Sequence, residues 1–458
     1  MGLTQILSTA LDGLNASQAG LTSTGQNITN VNTPGYARRD LQLETRGQGL
    51  NGVNVAGLRR VADTVIERRQ YQAIGLSSAA SERDAQLGAL EAMFDDVGGS
   101  GLSDALAAFY GAFSSLAANP SDPTARANVL ARADALSGRI SDTADGIASA
   151  RGELLTKAQE TTAEVNRKAQ QIAQLNQQIV AARAQGQDTG NLEDQRAKVL
   201  LGLAPLVDVT VLTQGNGAVM VQASGATLVD EVSARTLAVD LSSNGDLRFT
   251  SQTVGGAPTD VTRYLTGGKL AGIKEARDVD LAQVATKLDD IAYGIQTTVN
   301  AQHAAGFGLD GVGSRNMFVV TTSSVGAARA MAVSSDVKGN PNAIAAASTA
   351  GTTPGGSDNA VLLSRLALQP AVGGRTVAQA YGDLVGDMGA RKAGAADEVT
   401  LREGVANQMS AMRESASGVS LDEEMISLTK YQRAYEASTK LISTIDQLLE
   451  ELLARLGR

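Results

Sequence analysis

Residues 3–31 read LTQILSTALDGLNASQAGLTSTGQNITNV, with apolar or small side chains alternately four and three positions apart. The stripe consists of Leu3, Leu7, Ala10, Leu14, Ser17, Leu21, Thr24, Ile28 and Val31. A repeat of about 3.5 residues lets one helix bury a seam against another helix over its whole length. The segment therefore predicts a helix whose stripe is covered by a partner helix.

A second stripe with the same spacing lies at the other end of the chain. It consists of Leu421, Leu428, Tyr431, Tyr435, Ser438, Ile442, Ile445, Leu449, Leu452 and Leu456, and only Glu424 departs from the pattern. Ser420 and Glu423 have the spacing of a capping box, which predicts the start of this helix. We predict that the two end helices pair as a coiled coil, with each other or with neighbouring copies, and that the residues between them form an insertion.

The first helix carries almost no charge. Asp12 is the only charged residue among the first 37, and glycines such as Gly13 and Gly20 keep the outer face small. Surface helices usually carry charges on their exposed face, so this pattern favours a helix with contacts on several sides. The alternative is a disordered neutral tail, because isolated helices are marginal in water. The two interpretations are compatible if the segment orders on assembly.

The first helix is followed by the stretch 27–36, Asn-Ile-Thr-Asn-Val-Asn-Thr-Pro-Gly-Tyr. The residue before a proline avoids the α region, and Pro-Gly favours a turn, so the helix is predicted to end near Asn32. Residues 38–61 alternate weakly and predict short strands. A further helix is predicted from about Thr64 towards Phe94.

Helical and β patterns then follow in blocks. Asp122-Pro123 predicts the start of a helix of about 60 residues, roughly 90 Å long. Residues 206–266 show two hairpin patterns with turns at Gly215-Asn216-Gly217 and Asn244-Gly245. Helical spacing returns at Leu281. A strand pair is predicted at 317–321 and 331–334, and helices from 358 to 417 are interrupted near Gly373-Gly374.

These patterns predict a mainly α fold with a β-rich insert. We predict a terminal coiled-coil core formed by 1–36 with 418–458. An elongated helical bundle with short strands is predicted for 37–205 with 267–417, and a small β-rich inserted domain for 206–266.

Composition argues against most chemistry. The chain of 458 residues has no Cys, one His and a net charge of −9, with aromatics at only 3%. Thiolate sites and most His-based chemistry are thereby excluded, and no basic patch suggests a nucleic-acid partner. No apolar run approaches the roughly 20 residues that span a bilayer, and the N-terminus lacks the pattern of a cleaved secretory signal. We expect no catalytic, metal or cofactor-binding residues, no membrane and no small-molecule substrate.

Two local features suggest chemistry, but their context does not support it. Residues 306–311 match G-x-G-x-x-G, yet they follow a predicted helix rather than a strand, so a plain loop is predicted. His303 lacks His or Cys companions and is predicted to have a packing or capping role.

The two end motifs resemble a known family. Residues 27–36 resemble the N-terminal signature shared by bacterial flagellar rod, hook and hook-associated proteins, and residues 417–446 resemble the matching C-terminal signature. The N-terminal signature residues are Asn27, Asn30, Thr33, Pro34, Gly35 and Tyr36. Further parts of the sequence are similar to the hook-associated members that join hook and filament. These parts are Arg38-Arg39, residues 417–424 and the blocks 192–196 and 299–303.

The resemblance implies a structural role. It implies type III export, residence outside the cell in the flagellum, and a helical ring of copies held by coaxial packing of the terminal helices. The implied partners are hook subunits, hook-associated protein 3 and a flagellar export chaperone. The assembly residues would be Leu3, Leu7, Leu14, Leu21, Ile28, Val31, Leu421, Leu428, Tyr431, Tyr435, Ile442, Ile445, Leu449 and Leu452.

Two other hypotheses remain open. A hook or distal-rod subunit of the same family would polymerise into long tubes on its own. A secreted wall hydrolase on an axial scaffold would need an acidic pair or a nucleophile cluster, and no such group stands out in the sequence.

Overall fold

The structure, a computed structural model, describes residues 2–46, 52–94, 101–253 and 255–456, and only the backbone of Leu456. The predicted fold class, mainly α with a small β-rich insert, is confirmed. The helices are α1 Leu3–Thr29, α2 Thr64–Glu91, α3 Leu102–Ala118, α4 Pro123–Ala184, α5 Gly190–Leu203, α6 Gly268–Glu275, α7 Leu281–Ala304, α8 Asp358–Arg365, α9 Val377–Ser417 and α10 Leu421–Leu456.

Within the described ranges, the strands form three antiparallel sheets. The first is a hairpin of β1 Arg39–Thr45 and β2 Val53–Arg60. The second joins β3 Val209–Thr213, β4 Val219–Ala223, β5 Ala226–Asp230 and β6 Ser233–Ala234, and the third joins β7 Thr236–Leu241, β8 Leu247–Gln252 and β9 Thr259–Asp260. Both hairpins predicted between 206 and 266 are present, and Gly217 and Gly245 adopt the positive φ that such turns favour.

The long helix α4 runs the length of the middle of the molecule. Its 62 residues begin at a cap in which the Asp122 carboxylate accepts from Thr124 N at 2.8 Å, with Pro123 in the first turn, as predicted. One face is buried in steps of seven and four residues, as a helix packed along its whole length requires. The large members of that face are Ile140, Ile147, Leu154, Val165, Ile172 and Ile179.

Two asparagines of α4 attach the inserted sheets to the bundle. The Asn176 amide donates to Val219 O at 2.8 Å and accepts from Val219 N at 3.1 Å. Asn166 does the same to Leu237, at 2.8 and 2.9 Å. Each amide thus satisfies both backbone groups of one strand residue, because its two ends match the peptide donor and acceptor.

The helices α2 and α9 pack antiparallel against each other, as the Gln70–Ser410 contact shows. Lys392 of α9 pairs with Asp84 of α2, and the fully buried carboxylate of Asp280 binds Arg83 at 2.8 Å and Arg391 at 3.1 Å. Asp280 ends a π-helical turn, 276–280, that joins α6 to α7. Helix therefore resumes at Gly268 rather than near Leu281, and the wider π turn shifts the helical phase of the apolar residues before it.

A core of large side chains lies between α3, α4 and the segment after α7. Phe109, Phe113 and Phe318 are 0% exposed, and the Phe109 ring lies 5.4 and 5.5 Å from the other two ring centroids. The strand pair predicted around Phe318 is reduced to a single bridge with Val333. The N–H and C=O of Phe318 instead bind the Asn300 side chain at 2.8 and 3.0 Å.

Candidate assembly interface

The two end helices lie antiparallel along each other, so their predicted pairing is confirmed. The contacts that define the register are Asn27 with Glu424, Gly20 with Tyr431 and Gly13 with Ser438. Each step of seven residues back along α1 is a step of seven forward along α10. If the same register continues to the start of α1, Leu3 lies opposite Leu448. The last two turns of α10 then extend beyond the end of α1.

Small residues allow the helices to approach closely. A Cβ on Gly20 would lie 2.5 Å from the Tyr431 ring, and one on Gly13 would lie 3.0 Å from Ser438 Oγ. Buried Ser17 and Thr24 lie on the same side of α1. The neutral, small character of this helix is therefore what the close contact requires.

The predicted interface residues lie mostly at the margins of this contact. Those that are half-buried are Leu3, Leu7, Leu14, Leu21, Ile28 and Val31 near the N-terminus and Leu428, Tyr431, Ile442 and Leu449 on α10. Ile445 is buried, whereas Leu421, Tyr435 and Leu452 are 49%, 39% and 42% exposed. Large apolar side chains thus border the contact, and several remain open to solvent.

Asn27 connects three segments and is 1% exposed. Its amide nitrogen donates to Arg39 O at 3.1 Å and to Glu424 Oε1 at 3.0 Å. Its amide oxygen accepts from the Tyr36 hydroxyl at 2.7 Å and from Arg39 N at 3.0 Å. All four hydrogen bonds of an asparagine amide are made, so one side chain fixes α1, the β1–β2 hairpin and α10 together.

The other signature residues shape the turn after α1. The helix ends at Thr29, slightly before the predicted Asn32, and Asn30 forms its C-cap. The Asn30 amide binds Gln26 O at 3.0 Å and accepts from the Thr33 hydroxyl at 3.2 Å, while Pro34 is exposed. Gly35 has φ +85°, and a Cβ there would lie 3.0 Å from Lys198 N. Only glycine meets both conditions without strain.

Charged residues outside the apolar stripes hold the same region. Arg39, 4% exposed, donates to Asp194 Oδ2 at 2.8 Å, and the other oxygen of that carboxylate accepts from Arg60 at 2.9 Å. Arg413 of α9 donates to Tyr36 O. Because no periodicity relates these positions, spacing alone could not have identified them.

The predicted capping box at the start of α10 forms only in part. Glu423 N lies 3.5 Å from Ser420 Oγ, which is the weak limit for such a bond. The Glu423 carboxylate pairs with Arg38 at 2.6 Å rather than bonding the backbone at Ser420. The full capping box is instead found at Thr376–Gln379, at the start of α9.

Burial changes the acid–base properties of this region. Desolvation raises the pKa of Glu424, against the opposing effects of the Asn27 hydrogen bond and the Arg38 charge. It also raises the pKa of Tyr36 to about 12, although Arg39 counteracts the shift. Glu424, the one residue that interrupts the apolar stripe, therefore sits at the buried end of the contact as a hydrogen-bond acceptor.

An apolar stripe on α10 lies to one side of the contact with α1 and continues past the start of that helix. It consists of Ile426, Leu441, Leu448 and Leu452, which lie within 80° of one another around an ideal helix and are 71%, 50%, 45% and 42% exposed. We call these four residues the outer stripe. Leu453 beyond them is 70% exposed. An exposed apolar surface of this kind is typical of an interaction site.

Two features of chemical interest have structural explanations. His303 is 0% exposed, with Nδ1 2.8 Å from Arg315 O and Nε2 accepting from Ala345 N at 3.0 Å; burial lowers its pKa to about 4. Residues 306–311 form a loop, as predicted. Across the four described ranges, no group of three His, Cys, Asp or Glu side chains is arranged to hold a metal, and no helix is long and apolar enough to cross a membrane.

Comparison with protein families gives two matches. The model for the helical domain of the flagellar hook-associated protein FlgK matches residues 87–318. The model for the C-terminal region of flagellar basal body rod FlgEFG proteins matches residues 411–456, which include α10.

Similar proteins agree with these matches. Flagellar hook-associated protein 1 of Salmonella typhimurium is 27% identical, with 98% of this chain and 100% of that protein covered. The protein of the same name in Bacillus subtilis is 24% identical, with 98% of each covered. The solved structure of the flagellar hook junction protein FlgK from Burkholderia pseudomallei has a TM-score of 0.69 at 17% identity, covering 78% of this chain and all of that one.

The paired end helices and the rod-type C-terminal region define a structural subunit of the bacterial flagellum that assembles with other flagellar structural proteins. Because the helical-domain model covers half of it, the chain belongs to the family of the flagellar hook-associated protein FlgK. The resemblance found in the end motifs is thereby confirmed.

Proposed function

We propose that this subunit forms the junction between hook and filament, outside the cell, and that other copies complete its terminal helix pair. The observation that carries this proposal is the outer stripe, because its four apolar side chains are 42–71% exposed within the described chain. Pairing with α1 uses the adjoining face of the helix, which contains Glu424, Tyr431 and Ser438. A neighbouring copy in an open helical arrangement would bury the second face.

The proposal also covers the export of the subunit and its binding partners in the flagellum. The family assignment supports type III export with a flagellar export chaperone, and contacts with hook subunits on one side and hook-associated protein 3 on the other. It also supports a role without catalysis. We further propose the three-part division predicted from the sequence, in which 1–36 with 418–458 forms the inner core and 206–266 faces outward.

A charge placed on the outer stripe tests the assembly role. Leu448→Asp should abolish motility in a strain that lacks the native protein, because a carboxylate buried between copies is costly. The unfolding temperature of the purified subunit should fall only slightly, because Leu448 is already 45% exposed there. Gln447→Asp, the adjacent exposed position, is the matched control and should support motility. Full motility with Leu448→Asp would show that no copy covers this face.

Substitutions at the margin of the α1–α10 contact test the pairing of these two helices. Leu14→Asp or Ile442→Asp should leave the middle bundle folded and prevent attachment of the filament.

Electron microscopy of the purified native subunit distinguishes the junction from the hook or rod alternative. We expect no long tubes at moderate concentration, and spontaneous tube formation would favour the alternative.

A further inference from the structure

A polar cavity of about 150 Å³ lies where α2, α5 and the β3–β4 hairpin meet. Its charged wall consists of Arg60, Arg68, Arg183, Arg196, Glu67 and Glu193, and the hydroxyl-bearing residues Thr64 and Thr213 also line it. Arg196 ends the block 192–196 quoted above. The cavity is large enough for a tetrahedral anion or several waters.

Two of the four arginines have carboxylate partners. Arg60 lies 3.1 Å from Glu67 Oε1 and 2.9 Å from Asp194 Oδ1, and Arg183 lies 2.8 Å from Glu193 Oε1. In the described part of the chain, Arg68 has neither a hydrogen bond nor an ion pair, and Arg196 has no carboxylate within ion-pair distance. The cavity therefore holds two positive charges that the protein does not neutralise directly.

Of these two arginines, Arg196 has the larger desolvation cost, because it is only 7% exposed. Its Nη1 donates to Asn176 Oδ1 and to Gly217 O, both at 2.8 Å. Its Nε and Nη2 donate to no acceptor among the described residues, yet they are not enclosed by protein atoms. Burial lowers the pKa of Arg196 to about 10, and the charges of Arg60 and Arg183 act in the same direction against the effect of Glu193. A buried guanidinium without a counterion is expensive, so the site favours an anion.

We propose that this cavity binds a small inorganic oxyanion of the phosphate or sulfate class through Arg68 and Arg196. Guanidinium groups bind such anions with paired, charge-assisted hydrogen bonds, and the Thr64 and Thr213 hydroxyls can donate to further oxygens. Arg68 belongs to α2 and Arg196 to α5, which packs on α4, while Gly217 belongs to the inserted hairpin. A bound oxyanion therefore links the bundle to the insert.

Calorimetric titration of the full chain with inorganic phosphate and with sulfate tests the site. The buffer contains chloride, and total ionic strength is held constant, so that general screening is the same throughout. We expect saturable binding of one anion per chain and a rise in unfolding temperature at the same concentrations. A response that sodium chloride reproduces would overturn the proposal.

Variants on α2 locate the binding. Arg68→Gln should weaken phosphate binding about tenfold or more, because it removes a charge-assisted contact. Arg69→Gln is the matched control, since Arg69 is the next residue, is exposed and has no ion pair in the described structure. Equal affinity in these two variants would contradict the assignment. Arg196→Lys provides a second check, because it keeps the charge but loses the planar fork.

The same titration separates two sources of the oxyanion. In the assembled flagellum, the alternative occupant of the cavity is a carboxylate of a neighbouring copy. In that case the free subunit would bind neither phosphate nor sulfate. Saturable phosphate or sulfate binding by the monomer supports the proposal, and the absence of saturable binding of either anion refutes it. Neither outcome bears on the junction role, which concerns α10.

Discussion

The middle bundle and the terminal helix pair bury different kinds of residue. Around α3 and α4, large side chains such as Phe109, Phe113 and Ile140 have no solvent exposure. Between α1 and α10, the closest contacts are made by Gly13 and Gly20, while large apolar side chains of α10 remain outside. The bundle therefore contains its own core, whereas the terminal pair is a close contact that leaves large apolar side chains of α10 exposed.

The largest effect is expected in the bundle. Phe113→Ala removes a ring that is 0% exposed and should lower the free energy of unfolding by about 3–5 kcal/mol. Leu453→Ala, which truncates a side chain that is 70% exposed, should change it by less than about 0.5 kcal/mol. Chemical denaturation measures both. Equal losses would remove the distinction between the two regions.

The next effect is expected at the connection between α1, the hairpin and α10. Asn27→Leu leaves the Tyr36 hydroxyl and the Arg39 N–H without their acceptor, at about 1–3 kcal/mol for each buried group. Tryptic cleavage at Lys430 and Arg433 of the free subunit should accelerate as α10 detaches. Asn15→Leu, at an exposed position of α1, should leave the rate unchanged. An unaltered rate with Asn27→Leu would mean that the amide does not hold the helices together.

A smaller effect is expected from one methyl group between the helices. Gly20→Ala places a Cβ 2.5 Å from the Tyr431 ring and should weaken the pairing by about 1–3 kcal/mol. Gly25→Ala meets no atom within 4 Å and should strengthen α1 slightly, since alanine favours a helix by about 1 kcal/mol over glycine. Circular dichroism melts of the two variants provide the comparison. Similar behaviour would indicate that α1 and α10 do not approach this closely.

The smallest effect is expected from pH. Burial raises the pKa of Glu424, so the paired state binds a proton more tightly than the separated state. This contribution is fully present below the ordinary glutamate pKa and is lost as pH rises through the raised value. Pairing should therefore tighten slightly on mild acidification, and Glu424→Gln should abolish that change. Proteolysis rates at Lys430 across this pH interval measure it, and the same pH dependence in both proteins would assign it to another group.

The apolar periodicity of the sequence predicted the helices but not which of their faces are in contact. The stripes identified α1, α4 and α10 because a packed helix needs apolar residues at regular spacing. The same spacing could not tell which face is covered within one chain, so Leu14 and Leu21 stand beside the contact while Gly13 and Gly20 form it. A glycine contributes nothing to an apolar stripe, although it determines how close two helices come.

Polar connections were harder to predict for a different reason. Asn27 was identified only as part of a motif, and Glu424 only as an exception to a stripe; their contact joins residues 397 positions apart. Asp194, which binds both Arg39 and Arg60, was noted only within the block 192–196, which does not indicate its partners. Such hydrogen bonds depend on tertiary positions that spacing along one chain does not contain.

Hydrogen exchange tests most directly the claim that other copies complete the terminal pair. Backbone amides of α10 and of the middle of α4 are followed in the free subunit and in isolated flagella. We expect α4 to be protected in both samples and α10 to be strongly protected only in the flagella. Equal protection of α10 in the free subunit and in the flagella would contradict the account, because the pair would then be complete in a single chain.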